Sequence, residues 1–388
     1  MFPVMIFYAL NYILQGVLQS FGKYNMPAFV SVPSSLVVIG YVFLLGDRFG
    51  VRGLVVATFI GLTLQALVLI PPVFTTEYRY HPSFDFRNRD FTDALKLVPP
   101  ILVGTSAYQI SMLVNVALAA NFEESVVTIT SIMQNLILYS ILAFIFSITA
   151  VLFPQFTMLA AKNDMEGFKS LVAKVLKSIL YFLIPATFGF VAVRHSLIDL
   201  IYGWQQVTAE NVQLASKMLA LYALGITGLG IKEVLDRAFY SLNDTKKPAI
   251  NGVIIMAVNV LMSFVLTKTV GVLGLPVAYS IASLTGGILL LYLLRKKIGP
   301  FGGRSILATS FKLIGASIIM LLLVLTADKL LSGFTSGSPL ADKAVKLFVP
   351  VGIGLIAYFA ATYFLKVDEA VDVLNKIKAK LKLKEGIR

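Results

Sequence analysis

The chain is 388 residues long, 57% hydrophobic and only 14% charged, with a mean hydropathy of +0.84. A soluble domain carries about a quarter charged residues, so a water-soluble globule is excluded. The formal net charge of +13 sits in short loops and a tail between apolar runs, which membrane topology explains without nucleic acid. The lack of cysteine excludes disulfide and thiol chemistry, and His81 and His195 lie too far apart to suggest a zinc site.

Apolar runs such as VSVPSSLVVIGYVFLLG and LIGASIIMLLLVLTA recur along the chain. They approach the ~20 residues that a bilayer-crossing helix needs, and they do not alternate as the strands of a barrel would. The expected fold class is all-α, a polytopic membrane protein of about eleven transmembrane helices. In chain order the spans cover 2–21, 26–45, 51–73, 96–120, 124–152, 168–193, 210–241, 247–268, 272–294, 304–328 and 344–365. The longer ones tilt or protrude. Beyond Lys366 the tail NKIKAKLKLKEG reads either as a basic amphipathic helix on an anionic lipid surface or as a solvated charged segment.

One set of alternate loops carries Arg79, Arg87 and Arg89, then Lys162 and Lys169, then Lys246 and Lys247, then Arg295, Lys296, Lys297 and Arg304. The opposite loops are poorer in base, with Arg48, Arg52, Arg194, Lys268, Lys329 and Lys343. The positive-inside rule places the first set and the C-terminus in the cytoplasm. An odd number of spans then puts the N-terminus outside. Met1 is followed directly by FPVMIFYAL, with neither a basic leader nor a cleavage signal. A segment entering from outside normally follows earlier spans, so further helices are expected before Met1.

The stretch GVRGLVVATFIG, from Gly50, returns as GVLGLPVAYSIA from Gly271. Gly50, Val51, Gly53, Leu54, Val56, Ala57 and Ile60 meet identical residues 221 positions later, and the same offset carries Pro27-Ala28 onto Pro248-Ala249. Register held across a whole span indicates an internal repeat. The second copy occupies the seventh to ninth spans and has three spans before it; the first copy occupies the first three spans. Two parallel units of six spans are therefore expected, the first lacking its opening half. In transporters built this way the substrate site lies between the repeats.

Polar residues inside spans require a reason. Gly104, Tyr108, Ser111 and Asn115 share one helical face, and so do Thr128, Ser131, Asn135 and Tyr139, with Gln134 beside them. A later span carries Asn251, Asn259 and Ser263. These residues serve either as hydrogen-bond glue between helices or as the wall of a hydrated cavity. In IKEVLDRAFYSLNDTKKPA, Lys232–Asp236 and Glu233–Arg237 are opposite charges four residues apart. They read as a neutralised helix end at the interface, or they leave Arg237 to grip an anionic head group through its planar fork. Asn243-Asp244 and Pro248 supply the turn into the next span. No phosphate-binding G-x-x-x-x-G-K-[ST] loop occurs, and no isolated pair of membrane-facing acids points to glycosyl transfer. The chain reads as a transporter rather than an enzyme, with no catalytic residue, cofactor or metal indicated.

AVLFPQFTMLAAKND, followed by RAFYSLNDTKKPAINGVIIMAVNVLMSF, resembles the MurJ (MviN) family of lipid II flippases in the multidrug/oligosaccharidyl-lipid/polysaccharide exporter superfamily. FPVMIFYALNYILQGVLQSFGKYNMPAF looks like that family's fourth helix and its proline-containing exit. The resemblance covers essentially the whole chain. It implies two six-helix bundles plus two C-terminal helices, of which the spans here would be the fourth to fourteenth. It also implies alternating access about a cationic cavity that moves lipid II, or a related undecaprenyl-pyrophosphate-linked substrate, from the inner to the outer leaflet of a bacterial cytoplasmic membrane.

The implied organisation is 1–73, the second half of an N-terminal bundle; 74–95, a cytoplasmic linker; 96–298, a six-helix bundle; 299–365, two added helices; and 366–388, a basic cytoplasmic tail. The cavity candidates are Asn115, Gln134, Asn135, Tyr139, Arg237, Asn259 and Ser263. Asn135 stands where the family pattern has an arginine, and Asn115 and Ser263 stand where some members have sodium-binding carboxylates, Asn259 being kept. No sodium site is therefore expected. The alternatives are an exporter of another lipid-linked glycan or of a small molecule, and a non-transporting membrane scaffold.

Overall fold

In an apolar bilayer every backbone N–H and C=O must find its partner within the protein, and the helix is the local solution. The computed structural model describes residues 4–23, 25–78, 88–202, 208–331, 333 and 338–371. No strand occurs among the described residues. Arg79, His81, Arg87 and the tail segment NKIKAKLKLKEG lie outside them. Seven described helical stretches are long and apolar enough to cross a membrane, or eight if a bent pair counts as one span. Large apolar side chains point outward along them, Phe43, Leu44 and Leu330 each at least 80% exposed. Such surfaces suit lipid and not water. The chain is an all-α, multi-pass membrane protein.

Two compact units divide the chain, Met1–Asn88 and Arg89–Arg388. The first contains α1 (Val4–Ser20), α2 (Asn25–Phe29) and α3 (Ser31–Phe74). The apolar stretch from Asn25 to Phe74 is 50 residues long; a straight helix of that length would measure about 75 Å, against a hydrocarbon core of about 30 Å. The chain instead turns at Gly50 (φ 54, ψ −145) inside α3. The arm after the turn folds back on the arm before it, since a Cβ on Gly61 would lie 2.9 Å from Ser34 Oγ. The expected spans 26–45 and 51–73 fall in these two arms. α1 packs on α3 through Leu18, Leu69 and Val73, and buried Asn11 donates from Nδ2 to the Leu62 carbonyl at 3.4 Å. Lys23 Nζ closes the far end of α3, donating to Thr75 O at 2.9 Å and Oγ1 at 2.7 Å, where the helix dipole favours a cation.

The second unit contains α4 (Arg89–Ala119), α5 (Glu124–Ala161), α6 (Met165–Tyr202), α7 (Ala209–Ala223), α8 (Ile226–Ser241), α9 (Lys246–Val270), α10 (Gly274–Ile298), α11 (Gly303–Leu331) and α12 (Pro339–Phe364). Its core centres on α5 to α8, around Ile145, Phe156, Phe168, Tyr222 and Phe239. α7 and α8 meet at a bend of 41° and are together long and apolar enough to cross a membrane. At the bend α10 reaches two backbone carbonyls: Ser280 Oγ donates to Leu221 O at 2.6 Å, and Ser283 Oγ to Gly225 O at 2.9 Å, the latter also accepting from Leu229 N at 3.0 Å. This is how a broken helix survives within a membrane. α11 and α12 dock on α6, where Tyr358 OH donates to Tyr181 O at 2.7 Å.

α9 and α10 meet at Gly271 (φ 67, ψ −149). The two leading glycines of the repeated motif thus share one backbone conformation, in a region open essentially only to glycine. A Cβ on either would meet no atom within 4 Å, so an alanine there is strained by its backbone alone. Gly50→Ala and Gly271→Ala are each expected to lower stability by about 1–3 kcal/mol, read as matching shifts in the detergent-denaturation midpoint. An unchanged midpoint in either variant would contradict the assignment.

A polar cavity in the second unit

Within the second unit a cavity of about 280 Å³ opens between α4, α5, α8, α9 and α10. Its α4 wall is the polar face expected from sequence: Gly104, Tyr108, Ser111 and Asn115 all line it. α4 comes close to α9 because neither helix carries a side chain at the crossing, where a Cβ on Gly252 would lie 3.1 Å from Gly104 Cα. Small residues at such crossings let helices approach without the aid of water.

Asn115 is 1% exposed, and its Oδ1 accepts from Ser263 Oγ at 2.9 Å. Ser263, fully buried on α9, thereby orients Asn115 without lining the cavity itself. Gln134 on α5 and Asn259 on α9 are buried and line the space. Gln134 Oε1, Asn115 Nδ2 and both amide atoms of Asn259 lack hydrogen-bond partners. Unpaired buried amides cost about 1–3 kcal/mol each, which marks this as a place for a ligand or ordered water.

The remaining expected residues point elsewhere. Asn135 is half-buried, Tyr139 is 67% exposed, and neither lines the cavity. Gln134, one residue back on α5, turns inward in their place. Arg237 is also absent from the lining. Its guanidinium stands over the Phe153 ring at 5.9 Å, joining the RAFY segment to the FP segment.

A charged cluster on α8 completes the cavity. Lys232 Nζ binds Asp236 Oδ2 at 2.7 Å, as the four-residue spacing predicts, and also binds Glu233 Oε1 at 2.9 Å. Among the described residues no ion pair joins Glu233 to Arg237. All three members of the cluster line the space, together with Tyr240 and Tyr279. The sequence reading placed this cluster at a neutralised helix end. Its position behind one uninterrupted apolar stretch, with Lys232 nine residues or about 14 Å from the end of α8, is the signal that it lies deeper. Tyr279 gave no such signal, being one aromatic in an apolar span.

Outside the spans, the DTKKP segment forms a separate knot. Asn243 adopts φ 55 at the turn, and Asp244 Oδ2 accepts from Lys297 Nζ at 2.6 Å and lies 3.3 Å from Lys247 Nζ. Partial burial pushes the Asp244 carboxyl up, but the bonds from Lys297 and Lys247 outweigh it and hold the group below the usual carboxylate range. A depressed folded-state value contributes stability that is present at neutral pH and is lost as pH falls through it. Asp244→Asn is therefore expected to cost about 0.2–1 kcal/mol at pH 7, as near-surface pairs do. Thermal melts of both proteins should converge as the pH drops below about 4, and high salt should shrink the gap at neutral pH.

The family model described as "Lipid II flippase MurJ" matches residues 1–342. The chain belongs to the MurJ family. The probable lipid II flippase MurJ of Bdellovibrio bacteriovorus is 26% identical over 374 residues, covering 95% of this chain and 70% of that protein. The MurJ relative from Thermotoga maritima is 25% identical over 356 residues, covering 91% and 68%. The fold matches a solved lipid II flippase MurJ in an inward closed conformation, with TM-score 0.72 and 22% identity over 94% of this chain and 72% of that one. A MATE structure in the straight conformation matches with TM-score 0.61 and 16% identity over 74% and 66%. At these identities the structural matches speak for the fold alone.

Proposed function

We propose that this chain transports lipid II, or a closely related undecaprenyl-pyrophosphate-linked precursor, from the inner to the outer leaflet of a bacterial cytoplasmic membrane. The observation that carries this reading is the family match across residues 1–342. The mechanism proposed is alternating access with transport and no bond chemistry. Residues 1–73 would act as part of one helical bundle, 96–298 as the other, and 299–365 as two added helices. The linker 74–95 and the tail 366–388 would lie in the cytoplasm. Lys247 at the start of α9 and Lys297 at the end of α10 share Asp244, so two of the base-rich segments lie at one end of the unit, which supports a cytoplasmic C-terminus.

For the site, Asn115, Gln134 and Asn259 would form the polar wall, and Ser263 would hold Asn115 in orientation. Asn135, Tyr139 and Arg237 would meet substrate outside this cavity, with Arg237 the group suited to a phosphate.

The test is replacement of the host's own flippase by this chain, followed by labelling of outer-leaflet lipid II. Restored labelling is expected, and its absence with the protein present in the membrane would overturn the reading. Export of another lipid-linked glycan or of a small molecule is the second reading. The α8 cluster favours it, because two carboxylates against one lysine repel a pyrophosphate.

A further inference from the structure

We infer that the cavity in the second unit is a binding site for a lipophilic organic monocation of the quaternary ammonium or phosphonium class, held against Asp236. Charge makes the first argument. Among the lining residues the charged ones are Lys232, Glu233 and Asp236, two carboxylates against one ammonium. Lys232 spends its ammonium on Glu233 Oε1 and Asp236 Oδ2. Asp236 is 7% exposed and its Oδ1 has no partner. A buried, unpaired carboxylate oxygen in a membrane helix is costly and calls for a cation. Arg237, next along α8, lies outside the lining with its guanidinium over Phe153.

Shape and lining select the kind of cation. The space of about 280 Å³ far exceeds the roughly 10–15 Å³ of the same measure that one water requires, so a bare ion would rattle in it. Tyr108, Tyr240 and Tyr279 bring aromatic rings and Leu142, Ile255 and Met256 bring apolar surface, the combination of residues that suits a bulky cation. Asn259 and Gln134, buried with unpartnered oxygens, add dipoles that can turn toward positive charge.

The test uses the full chain in phosphatidylcholine nanodiscs without lipid II, with ethidium anisotropy as the readout and tetraphenylphosphonium as competitor. Saturable binding that the phosphonium displaces is expected, insensitive to exchange of sodium for potassium at constant ionic strength. Asp236→Asn should weaken it at least about tenfold while leaving the protein monodisperse and its melting temperature equal or higher, because the substitution makes the buried cluster neutral. Met256→Trp, which fills the space without touching charge, should weaken ethidium by a similar factor. Three results would overturn the inference: no saturable binding, equal affinity in Asp236→Asn, or displacement by sodium in place of the phosphonium, which would mark a small-ion site.

Discussion

Gly228→Leu is expected to eliminate the folded protein from the membrane fraction. α8 and α10 approach so closely at this point that a Cβ on Gly228 would sit 2.5 Å from Ser283 C and O and 2.6 Å from Leu284 N. These are backbone atoms, and no rotamer can move them aside. The contact is reciprocal, since a Cβ on Gly287 would lie 2.9 Å from Gly228 O. Parting the helices would also break the Ser280–Leu221 and Ser283–Gly225 hydrogen bonds at the α7–α8 bend. Overpacking costs about 1–3 kcal/mol, and the stranded Leu221 carbonyl adds about 1–3 kcal/mol, a large share of the roughly 5–15 kcal/mol of an ordinary domain. Size-exclusion of a fluorescent fusion would show aggregate in place of a single peak. Gly228→Ala should be intermediate, and Gly315→Ala, where a Cβ meets nothing within 4 Å, should match the parent.

Lys232→Met is expected to cost about 3–5 kcal/mol, the usual price of removing one partner from a buried ionic cluster. The lysine is the cation bound to both Glu233 and Asp236, whose side chains are 17% and 10% exposed. Without it two carboxylates face one another in an apolar span. The discriminating measurement is rescue. Adding Glu233→Gln and Asp236→Asn to Lys232→Met removes the charges that the lysine served, and the denaturation midpoint should recover most of the loss. If the triple variant is as unstable as the single one, Lys232 contributes through packing of its stem and not through charge.

Much of this was legible in the chain. The all-α membrane class follows from apolar run length alone, and Gly50 and Gly271, where the chain turns, are the leading glycines of the repeat. The α4 wall was readable because Gly104, Tyr108, Ser111 and Asn115 follow one another at spacings of four, three and four, which keeps them on one helical face although Thr105, Ser106 and Gln109 lie in the same run. On α5 between 128 and 140 polar residues fall at 128, 130, 131, 134, 135, 139 and 140, spread around the helix, and periodicity cannot say which of them turns inward. Packing decides, and it selects Gln134.

The ion pairs show a similar limit. Spacing permits both Lys232–Asp236 and Glu233–Arg237, but Glu233 is drawn to the lysine beside it, and Arg237 turns to Phe153 on α5. A contact between residues so far apart in sequence has no local signature. The same holds for Asn11, which looks like an accident in an apolar run and is in fact bonded to the α3 backbone.

The matching torsions at Gly50 and Gly271 carry a consequence for how this chain can be rebuilt. If both reversals rest on the same pair of dihedral angles and on open space around the α-carbon, the residues flanking each glycine are modular parts. A chimera in which the 48–54 segment replaces 269–275, or the converse exchange, keeps the geometry of the joint while changing the letters around it. The duplication is then preserved as a hinge design shared by two hairpins, even where their sequences have drifted apart.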